Sequence, residues 1–182
     1  MSTVFSLSGV KHMKIIARIH NKFTSKFGIP RQSGLENLTE STIVFENGFK
    51  SPDAIRGLEN YDYIWLLWLF SECEGESEAL TVRPPRLGGN TRMGVFATRS
   101  PFRPNSIGLS CVKLKEISAD GSLIVTGADL MNGTPIIDIK PYLPYVDAHP
   151  EASNGFALAS KDEVLEVVIP DKIAKKIDAK TL

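Results

Sequence analysis

The chain has 182 residues, with 21 basic and 21 acidic side chains, 42% hydrophobic residues and 23% charged ones. That is enough chain to bury the core of one domain, and the near-average composition excludes a disordered tail or a fibrous repeat. A formal net charge of zero excludes a protein that coats polyanions, or a membrane surface, through bulk positive charge.

The first residues, MSTVFSLSGVKHMK, lack the basic start, long apolar stretch and small-residue cleavage site of a secretion signal, so a cytoplasmic location is expected. Residues 14–20 (KIIARIH) and 42–46 (TIVFE), rich in β-branched and aromatic side chains, predict the first two strands. Between them GIPRQSG, from Gly28 to Gly34, holds one proline between two glycines and on its own reads as an ordinary connection. Ser51-Pro52-Asp53 ahead of AIRGL predicts a short helix, with a capping hydroxyl, a proline at the first helical position, an acid in the first turn and Gly57 at the stop.

Residues 61–70 (YDYIWLLWLF) predict a third strand. Its apolar run is seven residues long, from Ile64 to Phe70, against about 20 for a membrane span, so no membrane partner is expected. Trp65, Trp68 and Phe70 are expected in the core or at a dimer interface rather than stacked on bases. Cys73 and Cys111 form no CxxC pair, and His12, His20 and His149 are scattered, so no metal site is expected. Cys111, inside an apolar stretch, is predicted to be a small core residue.

Further strands are predicted over residues 92–98, 107–117 and 122–128. Alternation puts Val112, Leu114 and Glu116 on one face, with Lys113, Lys115 and Ile117 on the other. Asp120-Gly121 predicts a hairpin, because glycine readily takes the positive φ of a tight turn. A strand over 164–169 and a helix after Pro170-Asp171, whose Lys172, Lys175 and Lys176 read as a solvated face, complete the chain. Strands follow one another without long intervening helices, which predicts a mainly β fold, an antiparallel β-barrel with few short helices. The expected organisation is an N-terminal extension over 1–13, a barrel domain over 14–170 and a helical tail over 171–182.

Chemistry-bearing residues crowd into 83–105, which holds five of the eight arginines: Arg83, Arg86, Arg92, Arg99 and Arg103. From residue 79 to 115 there are seven basic residues and no acid, while Glu72, Glu74, Glu76 and Glu78 stand just before. A guanidinium holds phosphate or carboxylate bidentately and stacks on bases, which points to a groove for RNA or a nucleotide. A structural basic loop paired with those glutamates explains the charge equally well. The prolines flanking Phe102-Arg103 restrict the backbone there. No GxGxxG follows a strand, and GNTRMG from Gly89 is followed by Val95 and Phe96 where a P-loop needs Lys and Ser/Thr, so neither a Rossmann site nor an NTPase is supported.

A second concentration is DLMNGTPIIDIKPYLP, residues 129–144. Asn132-Gly133-Thr134-Pro135 is a turn able to cradle a polar head group. Asp138, Lys140 and Tyr142 alternate and share one strand face; they suit proton handling, or equally a salt bridge covered by a tyrosine.

Taken together, GIPRQSG, DAIRGLENYDYIWLLWLF, VRPPRLGGNTRMGVFATRSPFRPNSIGLS and NGTPIIDIKPYLP resemble, in order and spacing, the TsaA-like barrel family. The resemblance runs from about residue 16 to 147. It implies an S-adenosylmethionine-dependent tRNA methyltransferase on an antiparallel barrel, acting as a homodimer on N6 of N6-threonylcarbamoyladenosine beside the anticodon. It implies cofactor contacts at Pro30, Arg31, Gln32, Ser71, Glu72, Arg99, Leu109 and Asn132, Gly133, Thr134 and Pro135. Many relatives have His-Gln at Ser71-Glu72 and Asp at Asn132, which bears on the hydrogen bonds there. Within that reading Asp138 is the expected base, Lys140 and Tyr142 orient the substrate, and Arg86, Arg92 and Arg103 meet tRNA phosphates or the threonyl carboxylate. The alternatives are a barrel that binds S-adenosylmethionine or RNA without catalysis, and a small-molecule methyltransferase.

Overall fold

The computed structural model describes residues 13–73, 80–156 and 170. The predicted strand 164–169, the C-terminal helix and the glutamates at 74, 76 and 78 lie outside the described residues. The chain divides into two compact units, Met1–Pro150 and Glu151–Leu182, and every described strand and helix belongs to the first.

Six strands form a closed ring: β1 (Ala17–His20), β2 (Glu40–Phe45), β3 (Tyr63–Leu69), β6 (Ile107–Ile117), β7 (Leu123–Thr126) and β8 (Pro135–Pro141). Their order is β1-β2-β7-β6-β3-β8, and β8 returns to β1 at Ala17↔Ile136. Every pairing is antiparallel. A small separate hairpin joins β4 (Thr81–Val82) to β5 (Met93–Gly94).

The period-two patterns explain the ring. Ile64, Leu66 and Trp68 of β3, Val112 and Leu114 of β6, Ala17 and Ile19 of β1, and Ile43, Leu123, Val125 and Ile136 all point inward and are buried. Closure removes the two sheet edges that an open six-stranded sheet would expose. Two inward positions of β6 are adapted to Trp68. Ser110 accepts its indole N–H at 2.9 Å, and Gly108 leaves the space that the ring fills.

The short helix is α1 (Pro52–Ile55), where the Ser51 side chain accepts from the Asp53 amide and Gly57 follows at φ 86°. The predicted hairpin joins β6 to β7, with Gly121 at φ 84° and its N–H donating to the Ser118 carbonyl. Among the described residues no helix is long and apolar enough to cross a membrane.

Three expectations are corrected. The strand predicted over 92–98 is only β5 followed by a 3₁₀ turn, Val95–Ala97, because the Thr98 amide and hydroxyl both donate to the Val95 carbonyl and close the chain there. In β6 the register shifts between Leu114 and Glu116, so Lys115 is an extra residue and strict alternation fails beyond it. Glu116 is exposed in consequence, and Ile117 packs on the core instead. Cys111 is not in the core: as an odd-numbered residue of β6 it lies on the outer face, half-buried, where burial and the nearby Asp147 carboxylate push its thiol pKa up.

Candidate functional site

Ring topology sorts the connections by end. The β1–β2, β3–β6 and β7–β8 connections leave from one end, and the β2–β3 connection and the β6–β7 turn leave from the other. Pro30, Arg31 and Gln32 lie in the first of these segments, Ser71, Glu72 and Arg99 in the second, and Asn132, Gly133 and Thr134 in the third, with Pro135 opening β8. Most of the expected cofactor residues are therefore brought to one end of the ring although they span a hundred positions of sequence.

Polar contacts tie these segments together. Arg99 donates from Nη1 to Gln32 Oε1 at 2.5 Å. The Asn132 amide donates to the Phe23 carbonyl, and Asn132 Oδ1 accepts from the Asn21 amide at 3.1 Å. Arg18, paired with Glu46 at 2.9 Å, donates from Nη1 to the Gly133 carbonyl at 3.1 Å. Gly133 sits at φ 82°, which glycine adopts without cost and which keeps this turn tight. Thr134 and Pro135 are buried.

Leu109 occupies an open edge. The bonds from the Phe70 amide to Ser106 and from the Leu114 amide to Asp62 show that even-numbered residues of β6 aim their backbone groups at β3. Odd-numbered ones aim at β7, whose pairing ends at Lys113↔Thr126. Beyond that point the Ser33 hydroxyl accepts the Cys111 amide at 3.1 Å, and Gly34 donates to the Gly127 carbonyl at 2.9 Å. Leu109 lies two residues further along this edge, its side chain 52% exposed.

Ser71 and Glu72 form a 3₁₀ turn, Ser71–Cys73, at the end of β3; Ser71 is half-buried and Glu72 exposed. Arg31 is exposed. Of the arginines assigned to phosphate, Arg86 and Arg92 are exposed, the first on the 3₁₀ turn Pro85–Leu87 and the second beside β5. Arg103 is half-buried and donates from Nη1 to the Thr98 carbonyl at 3.1 Å, so part of its guanidinium braces its own loop. The exposed aromatic rings of Phe96 and Phe102 stand in the same segment.

Asp138, Lys140 and Tyr142 do share the outer face, but they are spread along it. Asp138 and Lys140 form an ion pair at 3.1 Å with both side chains about half exposed. Tyr142 lies seven residues beyond Pro135, roughly 20 Å at the usual strand rise. There it packs on Tyr63 and Trp65 at 6.2 and 5.6 Å between ring centroids. These three rings, with Cys111, Asp147 and His149, line an open cleft of about 560 Å³. The structure thus joins Asp138 to Lys140 and sets Tyr142 in a different group.

Sequence reasoning missed Asp129, Ser110 and Ser33 as a set. Asp129 Oδ1 accepts the Ser110 hydroxyl at 2.5 Å, and the backbone N–H of Ser33 is directed at the same carboxylate. Burial raises the Asp129 pKa above the usual carboxylate range, opposed by these hydrogen bonds and by the charge of Arg99. The available signal was a lone inward-facing serine in an apolar strand.

A closed antiparallel ring with polar loops gathered at one end and an arginine-rich connection beside them is a mainly β architecture distinct from the Rossmann and P-loop folds. The family model described as the tRNA-methyltransferase O N-terminal domain matches residues 18–148, and the chain belongs to that family. The Escherichia coli (strain K12) protein named tRNA (adenine(37)-N6)-methyltransferase is 41% identical over 165 residues, which cover 89% of this chain and 70% of that one. A Pseudomonas aeruginosa relative that carries the name of an S-adenosylmethionine-dependent methyltransferase is 44% identical over 149 residues, 82% of this chain and 62% of its own length. A crystal structure of TrmO from Pseudomonas aeruginosa superposes with a TM-score of 0.69 at 39% identity, covering 83% of this chain and 64% of that one. The chain thus spans roughly two thirds of the length of the relatives it matches.

Proposed function

We propose that the protein is an S-adenosylmethionine-dependent tRNA methyltransferase acting on N6 of an adenosine beside the anticodon, with N6-threonylcarbamoyladenosine as the acceptor. The observation that carries this reading is the convergence of Pro30–Gln32, Arg99 and Asn132–Thr134 from three connections at one end of a ring whose family relatives bear that name. We read the ring as the barrel expected of the family, and the protein as a cytoplasmic homodimer.

The donor set fits the cofactor chemically. Arg99 and Gln32 offer a cation and an amide for a carboxylate, the Asn132–Pro135 turn offers a polar cradle, and the open β6 edge at Leu109 offers backbone groups for the edge of a purine. When bound, S-adenosylmethionine supplies an activated methyl group and a neutral thioether as leaving group. The protein's main task is then alignment, worth several kcal/mol of barrier when reacting atoms are held in line. The acceptor nitrogen of a urea-like group must lose its proton. Asp138 is the base proposed for it, held in an ion pair with Lys140. Tyr142, in its separate cleft, orients substrate only if the bound RNA reaches that far along the outer face. Arg86, Arg92 and Arg103 line the path of the tRNA backbone.

Methyl transfer to tRNA from cells that make the threonylcarbamoyl group, compared with tRNA lacking it, tests the substrate. Incorporation into the first alone is expected. Equal incorporation would remove the modified base as acceptor, and none into either would remove the activity.

A further inference from the structure

The three connections at the proposed cofactor end meet at one side chain. Asp129 belongs to the β7–β8 connection; its carboxylate faces the Ser33 backbone N–H from the β1–β2 connection and the charge of Arg99 from the β3–β6 connection, both of which favour its charged form. It is also fixed from below, because the Ser110 hydroxyl donates to it at 2.5 Å while accepting the Trp68 indole N–H at 2.9 Å. Ser33 is held on its other side as well, its hydroxyl accepting from the Cys111 amide. Gln32, the next residue, is the partner of Arg99.

We propose that Asp129 is a positioning residue for the cofactor site: as an anion it pins the Ser33 amide and draws in Arg99, and so fixes the Pro30–Gln32 turn and the Gln32–Arg99 pair in one binding geometry. The inference rests on the reading of this end as the S-adenosylmethionine site. A carboxylate in so buried a place is costly unless it is hydrogen-bonded and opposed by charge. Ser110, Ser33 and Arg99 offset part of that cost here. Neutralising the carboxylate leaves the shape of the side chain and removes the attraction on Arg99, and an amide N–H₂ set toward the Ser33 N–H or the Ser110 hydroxyl opposes donor to donor.

The test is calorimetric binding of S-adenosylmethionine to the full chain without tRNA, for the wild type, Asp129→Asn and Ser110→Ala, with thermal unfolding recorded alongside. Loss of a charge-assisted hydrogen bond predicts that Asp129→Asn weakens cofactor binding about tenfold or more. Turnover at saturating cofactor should stay within about twofold, since uniform binding is what has been lost. Ser110→Ala keeps the charge, so it should lower the unfolding temperature more than the affinity. For wild type alone, affinity should fall as the pH is lowered and Asp129 takes up a proton; Arg99 is the charged group facing it. This measurement needs no variant to fold.

If the wild type binds the cofactor and Asp129→Asn, folded, binds it equally well, the positioning role is overturned while the functional reading stands. A flat wild-type pH profile overturns it too, as does loss of turnover with unchanged affinity, which would place Asp129 in the chemistry. If the wild type binds no S-adenosylmethionine, the functional reading falls, and this inference with it.

Discussion

Gly108 and Trp68 share one space. A Cβ at Gly108 would lie 2.2 to 2.5 Å from three atoms of the indole. The ring has little freedom to retreat, since its N–H is held by Ser110 and it packs edge-to-face with Phe70, ring centroids 4.2 Å apart. Gly108→Ala is therefore expected to cost about 1–3 kcal/mol or more, the usual range for overpacking a filled core. A clear drop in the denaturant midpoint, with near-normal cofactor affinity if the protein still folds, is the expected result; an unchanged midpoint would mean that the indole can swing aside. Neither residue advertises this pairing in the sequence, because Trp68↔Gly108 is a register contact across 40 positions. At residue scale, what could be read was the kind of side chain each position needed, apolar inward and charged outward. What could not be read was which residues would be neighbours: Asp129 lay in a motif already singled out, but Ser33 and Ser110, which give it meaning, come from elsewhere in the chain.

Element by element, strands were legible where alternation was unbroken. β6 matches its predicted bounds, and α1 shows the predicted cap, proline and glycine. Legibility failed where a local hydrogen bond overruled the pattern, as at Val95, or where a bulge reset the phase, as at Lys115. The short helix α2 (Pro144–Asp147) is a further case, since no residue ahead of it caps it with a side chain. Its own last residue does that work: Asp147 Oδ2 accepts the Leu143 amide at 2.9 Å and the Trp65 indole N–H at 3.0 Å. Those two bonds, the first of them the larger influence, hold the Asp147 pKa below the usual carboxylate range. A carboxyl whose pKa is depressed on folding stabilises the protein above its unfolded pKa and loses that contribution as the pH falls through the folded value. Asp147→Asn is thus expected to lower the unfolding temperature at neutral pH, and the gap from wild type should close as the solution is acidified. A gap independent of pH would assign the loss to shape rather than to charge. Asp129 works in the opposite sense: its raised pKa makes the folded state gain relative stability as it protonates. The acid response of the wild type therefore reflects these two carboxylates and Asp120, which the Ser122 hydrogen bonds hold below the usual carboxylate range, and the Asp147→Asn comparison isolates one.

On the scale of the whole molecule, the equal numbers of basic and acidic residues conceal a separation. The acid-free stretch from 79 to 115 contributes Arg86 and Arg92 as exposed cations near the small β4–β5 hairpin, in the same connection as Arg99. A polyanion approaching that side meets a local positive field although the protein as a whole has no net charge to attract it, and fields of this kind are short-ranged at physiological salt, where the Debye length is about 8 Å. Binding of tRNA should then depend on a few phosphate contacts. Each contact releases condensed counterions, so the slope of log affinity against log salt counts them, at about 0.9 per contact on duplex and about 0.7 on single strands. Replacing Arg86 and Arg92 together by Ala is expected to weaken tRNA binding at low salt and to flatten that slope by roughly one to two units, leaving S-adenosylmethionine affinity unchanged. Fluorescence anisotropy of labelled tRNA over a salt series reads both quantities. Weaker binding with an undiminished slope would show that the two arginines act through the fold of their loop, and the RNA backbone would then have to be placed against another part of the surface.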